Sequence, residues 1–193
     1  VIGGRPFSWG GPEWKNETFY RDRFGIHNFG ESIACIKQAI DAAAHDTLLF
    51  IGHCGPTGLG DRPESPCGRD WKPLGGDFGD PDLTAAIAYA QQQGKTVPLV
   101  TFGHMHHSLR HRKDIQRERL SIDAQGTVYL NAASVPRIIQ TESACLRNCS
   151  LVTLRQNCVH QASLVWVSQD FLIASEENLL TTVTQPEPLQ MLV

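Results

Sequence analysis

The sequence predicts an α/β fold, classed as α+β in some schemes, and three observations carry that prediction. Two short apolar runs, Thr47–Ile51 and Val97–Phe102, have the length and composition of buried strands. A helical pattern lies between them, which is how parallel neighbours in one sheet are joined. Further on, Leu120–Asp123 with Thr127–Leu130, and Leu151–Arg155 with Ala162–Val167, flank turn residues and read as antiparallel pairs.

Taken in order, residues 1–28 hold Gly3-Gly4, Gly10-Gly11-Pro12 and the aromatics Phe7, Trp9, Trp14, Phe19, Tyr20 and Phe24, with no lasting periodicity. This is expected to be a structured loop that either shapes a substrate pocket or covers a sheet edge. Its first residues read as the end of a strand, as in a chain cut from something longer. Residues 30–44 carry Ile33, Ile36 and Ile40 at helical spacing, with Glu31 placed to complement the helix dipole. Cys35 falls on the apolar side of that helix and is expected to be buried.

Residues 54–80 form a loop long enough to be functional. Arg69 and Lys72 within it are candidates for meeting an anionic substrate. Asp77, Asp80 and Asp82 lack the remaining ligands of a calcium loop. Asp80 or Asp82 is instead expected to cap a helix over residues 82–93, with Pro81 in its first turn and Gly94 at its end. Residues 171–180 are expected to be a short helix, and 181–193, with Pro186 and Pro188, a loose tail.

The chemistry gathers at the ends of the two apolar strands. Val97–Phe102 runs into Gly103-His104-Met105-His106-His107, three imidazoles in four residues. Gly103 is expected to let the chain turn sharply. His104 and His106, two apart, project to one side of an extended backbone. The earlier strand ends the same way, in Gly52-His53-Cys54-Gly55. Parallel pairing then brings His53, His104 and His106 to the carboxyl edge of one sheet, where open α/β sheets place their chemistry. Neutral imidazoles there suit zinc, manganese or iron, and three of them would make an open mononuclear zinc site. Residues 109–119 add five Lys/Arg against two acids, a solvated face or, through Arg110, a grip on phosphate oxygens.

Composition narrows the function classes. The 193 residues are 41% hydrophobic and 19% charged, as in ordinary globular proteins, and can bury a core as one domain over 1–180. A net charge of −3 gives no push toward nucleic acid or anionic membrane. No apolar run reaches the roughly 18 residues of a membrane span, and Val1–Pro6 has no signal-peptide pattern. The six cysteines are therefore expected to be reduced thiols of a protein that is not secreted. Cys145, Cys149, Cys158 and His160 depart from zinc-knuckle spacing and read as ordinary hairpin residues.

Gly52-His53 followed by Gly103-His104-Met105-His106, each closing a strand, resembles the second half of the calcineurin-like metallophosphoesterase family. Ile2–Pro12, His53–Gly60 and Tyr129–Ala133 are further similar to the branch of that family found in cyanobacteria and plastids. The resemblance implies the C-terminal part of a β-sandwich flanked by helices. It also implies hydrolysis of a phosphate ester by a metal-activated water at a pair of divalent ions, Mn, Fe or Zn. By motif, His53 and His104 would bind one ion and His106 the other, with no role for His107. The compartment implied is the cyanobacterial cytoplasm or the plastid stroma.

The family's Asp-x-His, Gly-Asp and Gly-Asn-His-Asp/Glu motifs, which supply the bridging carboxylate and the general-acid histidine, do not occur upstream of His53. Ile26-His27-Asn28 has neither the order nor the glycine of the third motif. The missing N-terminal half of the same protein would then be this chain's partner, and the chain alone a partial site. The alternatives are a non-catalytic binding or scaffolding remnant of the fold and the mononuclear three-histidine zinc hydrolase.

Overall fold

The computed structural model describes residues 1–142 and 144–182. The chain is a mixed α/β protein built on two sheets. In the first, β1 (Ile2–Gly3), β2 (Thr47–Ile51), β3 (Thr96–Phe102) and β5 (Val128–Asn131) run parallel, and β4 (Leu120–Ile122) closes the edge antiparallel to β5. The second sheet is antiparallel, with β6 (Ile138–Gln140), β7 (Cys145–Arg155), β8 (Cys158–Val167) and β9 (Ile173–Thr181) in sequential order.

Three helices complete the fold among the described residues. They are α1 (Glu17–Phe24), α2 (Phe29–Asp41) and α3 (Pro81–Gln92). Ile36 and Ile40 of α2 and Leu83, Ala86, Ile87 and Ala90 of α3 bury against Leu48, Phe50, Val97, Val100 and Phe102 of the parallel sheet. The alternate residues of the same strands point the other way. Leu99, Val128 and Leu130 meet Val159 and Ala162 of β8, so the two sheets share a second apolar cluster. Period-2 strands with both faces apolar thus sit between helices and the antiparallel sheet, which accounts for the continuous apolar runs in the sequence.

Local signals explain the helix ends. Asn28 accepts a bond from the Glu31 amide at 3.0 Å, and the Glu31 carboxylate accepts one from the His27 amide at 2.7 Å. This is an N-cap backed by a return bond to the residue before it, close to a capping box, and it gives the 26–28 segment a structural role. Asp80 does occupy the N-cap position of α3 with Pro81 behind it, but its side chain makes no capping bond. It turns instead toward Arg5 and Ser8.

Several expectations need correcting. Residues 173–181 form a strand, not a helix: β9 pairs along β8 from Gln161↔Thr181 to Val167↔Ile173. Glu176 and Glu177 favour a helix locally, but a long-range partner outweighs that preference. Residues 1–28 contain a helix, α1, whose weak amphipathic pattern hid it; Tyr20 is its one buried residue. Cys35 is exposed, because the buried side of α2 is carried by Ser32, Ile36 and Ile40. All six thiols are free. The β7–β8 register sets Cys149 opposite Val165 and Cys158 opposite Arg155, and Cys145 lies four residues, about 13 Å, along the strand from Cys149. The expected loose tail lies, from residue 183 on, outside the described residues. Among the described residues no helix is long and apolar enough to cross a membrane.

Candidate metal centre

Backbone register places the two histidine loops side by side. Ile51 of β2 pairs with Thr101 of β3, and beyond the strands the ladder continues: the Gly52 amide donates to Thr101 O at 2.9 Å and the Gly103 amide to His53 O at 3.0 Å. Gly52 is required by space. A Cβ there would lie 2.4 Å from Cys54 O and 2.9 Å from Leu83 Cδ2.

The sharp turn expected at Gly103 falls one residue later. His104 has φ +64°, and the Met105 amide donates to Gly103 O at 2.7 Å, closing a three-residue turn around His104. A left-handed backbone at a residue bearing a Cβ costs on the order of 1–2 kcal/mol. Such strain is typical of functional positions.

This zipped geometry sets the His53 and His104 ring centroids 4.8 Å apart, with planes at 57°. The His53 Nδ1–H donates to Ser8 O at 2.6 Å, so the ring is oriented by that bond and Nε2 is not engaged in it. Burial pushes the His104 pKa down to about 4, helped by the charges of His53, His106 and Arg110. His104 is therefore neutral, as a ligand must be, at all physiological pH values. His106 is exposed; it joins His104 on the wall of a cavity of about 600 Å³.

Ser8 is held in turn. Its hydroxyl donates to Asp80, whose other oxygen accepts from Arg5 Nη2 at 2.8 Å. Arg5 Nε donates to Asp82 at 3.0 Å, and Ser32 Oγ donates to the same oxygen at 2.6 Å. The guanidinium lies 4.7 Å from the centroid of the Trp14 ring, 5.3 Å from that of Tyr20 and 5.2 Å from that of Phe29. Two buried carboxylates thus share one cation in an aromatic box. Burial and the neighbouring Asp82 raise the Asp80 pKa to about 6 against the pull of Arg5 and Ser8. Through Ser8 this network fixes the ring of His53, the kind of outer support that metal-binding imidazoles usually have.

A second latch holds the 104–107 loop. Buried Arg117 donates to the carbonyls of His106 (3.0 Å), Pro63 (3.1 Å), Ser65 (2.8 Å) and Gly68 (2.7 Å) and pairs with Asp70 at 3.3 Å. Asn131, at the end of β5, donates to Met105 O at 2.7 Å and to Pro66 O at 3.3 Å. His107 is buried, and its Nε2–H donates to Asn131 O at 2.9 Å. This is the role the sequence left open for it: it anchors the loop and points away from the cavity chemistry.

The basic run at 109–119 divides cleanly. Arg112 pairs with Asp114 at 2.5 Å, Lys113 donates to Leu109 O, Arg117 is buried as described, and Arg119 pairs with Glu177 at 2.5 Å. Arg110 has no ion-pair partner among the described residues and lines the cavity. Of the other two candidates for substrate contact, Arg69 donates to Gly75 O at 2.8 Å and stacks 4.9 Å over Phe78, and Lys72 is exposed; neither is on the cavity wall. Asp77 accepts from the Gly58 amide at 2.6 Å and the Gly79 amide at 2.8 Å, so it closes the loop.

The donor set fits a borderline divalent ion from one side. The His53 and His104 imidazoles lie beside each other, His104 neutral, and a third imidazole, His106, stands on the cavity wall. Among the described residues no group of three or more His, Cys, Asp or Glu has the spacing to hold a metal ion. A carboxylate to bridge two cations would have to come from elsewhere. No family model matches the chain, and no curated protein matches it.

Proposed function

We propose that the His53/His104 pair is the imidazole side of a metal-dependent phosphoesterase centre, with the carboxylate ligands and the general acid supplied from outside residues 1–193. The observation that carries this reading is the close facing of two backbone-zipped imidazoles at the carboxyl ends of adjacent parallel strands, beside a cavity lined by Arg110, which has no ion-pair partner among the described residues. The resemblance to calcineurin-like metallophosphoesterases agrees with it in the order and context of the Gly-His and Gly-His-x-His motifs.

In this reading His53, held through its Nδ1–H by Ser8 O, and His104, on the left-handed turn beside it, would hold the ion. His106 stands ready on the cavity wall for the second ion. Arg110 binds nonbridging phosphate oxygens of the substrate. Together the histidines would hold a divalent ion, which would supply Lewis-acid charge for hydrolysis of the ester. The chain's own part is to orient ligands and substrate.

The experiment is a comparison of lengths. A version extended upstream to include Asp-x-His, Gly-Asp and Gly-Asn-His-Asp/Glu motifs should hydrolyse p-nitrophenyl phosphate or bis-p-nitrophenyl phosphate with Mn²⁺, and His104→Ala in that version should abolish the activity. An extended version that binds Mn²⁺ but turns over neither ester would contradict the proposal and favour a binding or scaffolding role.

A further inference from the structure

We infer that the cavity beside His104 recognises a phosphate monoester whose alcohol half carries a planar aromatic or heteroaromatic ring, with Trp9 as the stacking surface for that ring. The inference deepens the phosphoesterase reading and rests on it for the fate of the ester; the recognition itself requires no metal.

Size comes first. About 600 Å³ is within the range of sites for organic ligands and far more than a bare phosphate fills. Charge comes second. On the wall, Asp70 and Arg117 neutralise each other at 3.3 Å, and Asp70 is further occupied by the Arg110 amide at 2.8 Å. That leaves Arg110 and Lys15 as the cations facing the space; the nearest acid to Lys15, exposed Glu13 at 3.8 Å, is off the wall. Two positive charges match a phosphate monoester dianion better than the single charge of a diester.

The third observation is Trp9. It is 56% exposed and lines the same cavity, yet its backbone is pinned on both sides. Before it, the Ser8 hydroxyl bonds Asp80 and Ser8 O accepts from His53. After it, Gly10 has φ +67° and sits so close to the next loop that a Cβ would lie 1.9 Å from Phe78 O, while the Gly11 amide donates to Gly79 O at 3.0 Å. An indole left in water on a fixed backbone is a preorganised stacking platform, since little ordering entropy remains to be lost on binding. Trp71, across the wall, is already engaged edge-on by Phe78 at 5.1 Å and by Arg110 at 5.5 Å. Those contacts hold Arg110 in place and leave Trp9 as the open face.

Isothermal titration of the whole chain in EDTA with adenosine 5′-monophosphate and with ribose 5-phosphate tests this. The two probes share a phosphate dianion and differ by the planar base. The base should tighten binding about tenfold or more, as single stacking contacts do. Trp9→Ala should erase that ratio and leave ribose 5-phosphate binding unchanged, Trp9→Phe should restore most of it, and Lys15→Ala or Arg110→Ala should weaken both probes alike. Equal affinity for the two probes, no binding of either, or a ratio that survives Trp9→Ala would overturn the inference. Because EDTA removes metal from the measurement, failure of the metal centre would leave this result intact, and the converse holds.

Discussion

The rings of His53 and His104 face each other with centroids 4.8 Å apart because their loops continue one parallel ladder past the end of its strands. Each loop is then fixed from behind: the first through Ser8, Asp80 and Arg5, the second through Arg117, Asn131 and His107. Both loops are thus held by hydrogen bonds to groups outside the facing pair.

The left-handed turn at His104 predicts an unusual order of stabilities. His104→Ala keeps the Cβ that opposes φ +64°, whereas His104→Gly removes it. The glycine variant should be the more stable of the two by about 1 kcal/mol in urea unfolding, despite the extra freedom of its unfolded chain. An alanine variant as stable as the glycine one would show that the turn is not strained.

Asp80 predicts a pH dependence with a definite sign. Its pKa is raised to about 6 in the folded chain, so between pH 4 and pH 6 the folded state binds more protons than the unfolded one. Its contribution to stability is therefore greatest below about pH 4 and falls as pH rises through 6. Relative to Asp80→Asn, which cannot titrate, the wild-type chain should lose on the order of 1–3 kcal/mol of unfolding free energy between pH 4 and pH 7. A difference that is flat or rises with pH would contradict the two-carboxylate description of the Arg5 cluster.

Arg117 predicts a large structural effect. Arg117→Ala removes four bonds to carbonyls and leaves Asp70 as a buried charge without its partner, a loss of about 3–5 kcal/mol. Chemical denaturation should register it, and Arg117→Lys should recover only a minor part, since an ammonium cannot reproduce the fork geometry. A loss under 1 kcal/mol would mean that the loops hold without the latch.

The 193-residue chain by itself should show little or no Mn²⁺- or Zn²⁺-dependent phosphodiesterase or phosphomonoesterase activity. Without the general acid the leaving group departs unaided, forgoing roughly 10²–10⁴-fold in rate. Robust turnover by the short chain, lost in His104→Ala, would show a ligand set complete within it.

What the sequence made legible follows from what is local or periodic. Apolar runs ending in Gly-His located β2, β3 and the His53/His104 pair, and helical spacing located α2 and α3. The supports were not legible. Nothing near Arg5 in the sequence points to Asp80, 75 positions away, or marks Arg117 as buried while Arg110, in the same basic run, stays open. Glu176 and Glu177 read as helix because the partner that makes them strand, β8, lies across a turn. A pointer to Trp9 did exist: an indole between a serine and two glycines, in a stretch with no periodicity to bury it.

The most direct measurement is a Zn²⁺ titration of the chain against a competing chelator, repeated with His53→Ala, His104→Ala and, as a control, His111→Ala. The parent chain and the control should bind a single ion alike, and each of the first two substitutions should abolish that binding without altering the circular dichroism spectrum. Binding of equal strength in His53→Ala and His104→Ala would contradict the account, because the ion would then be held somewhere other than between the two facing imidazoles.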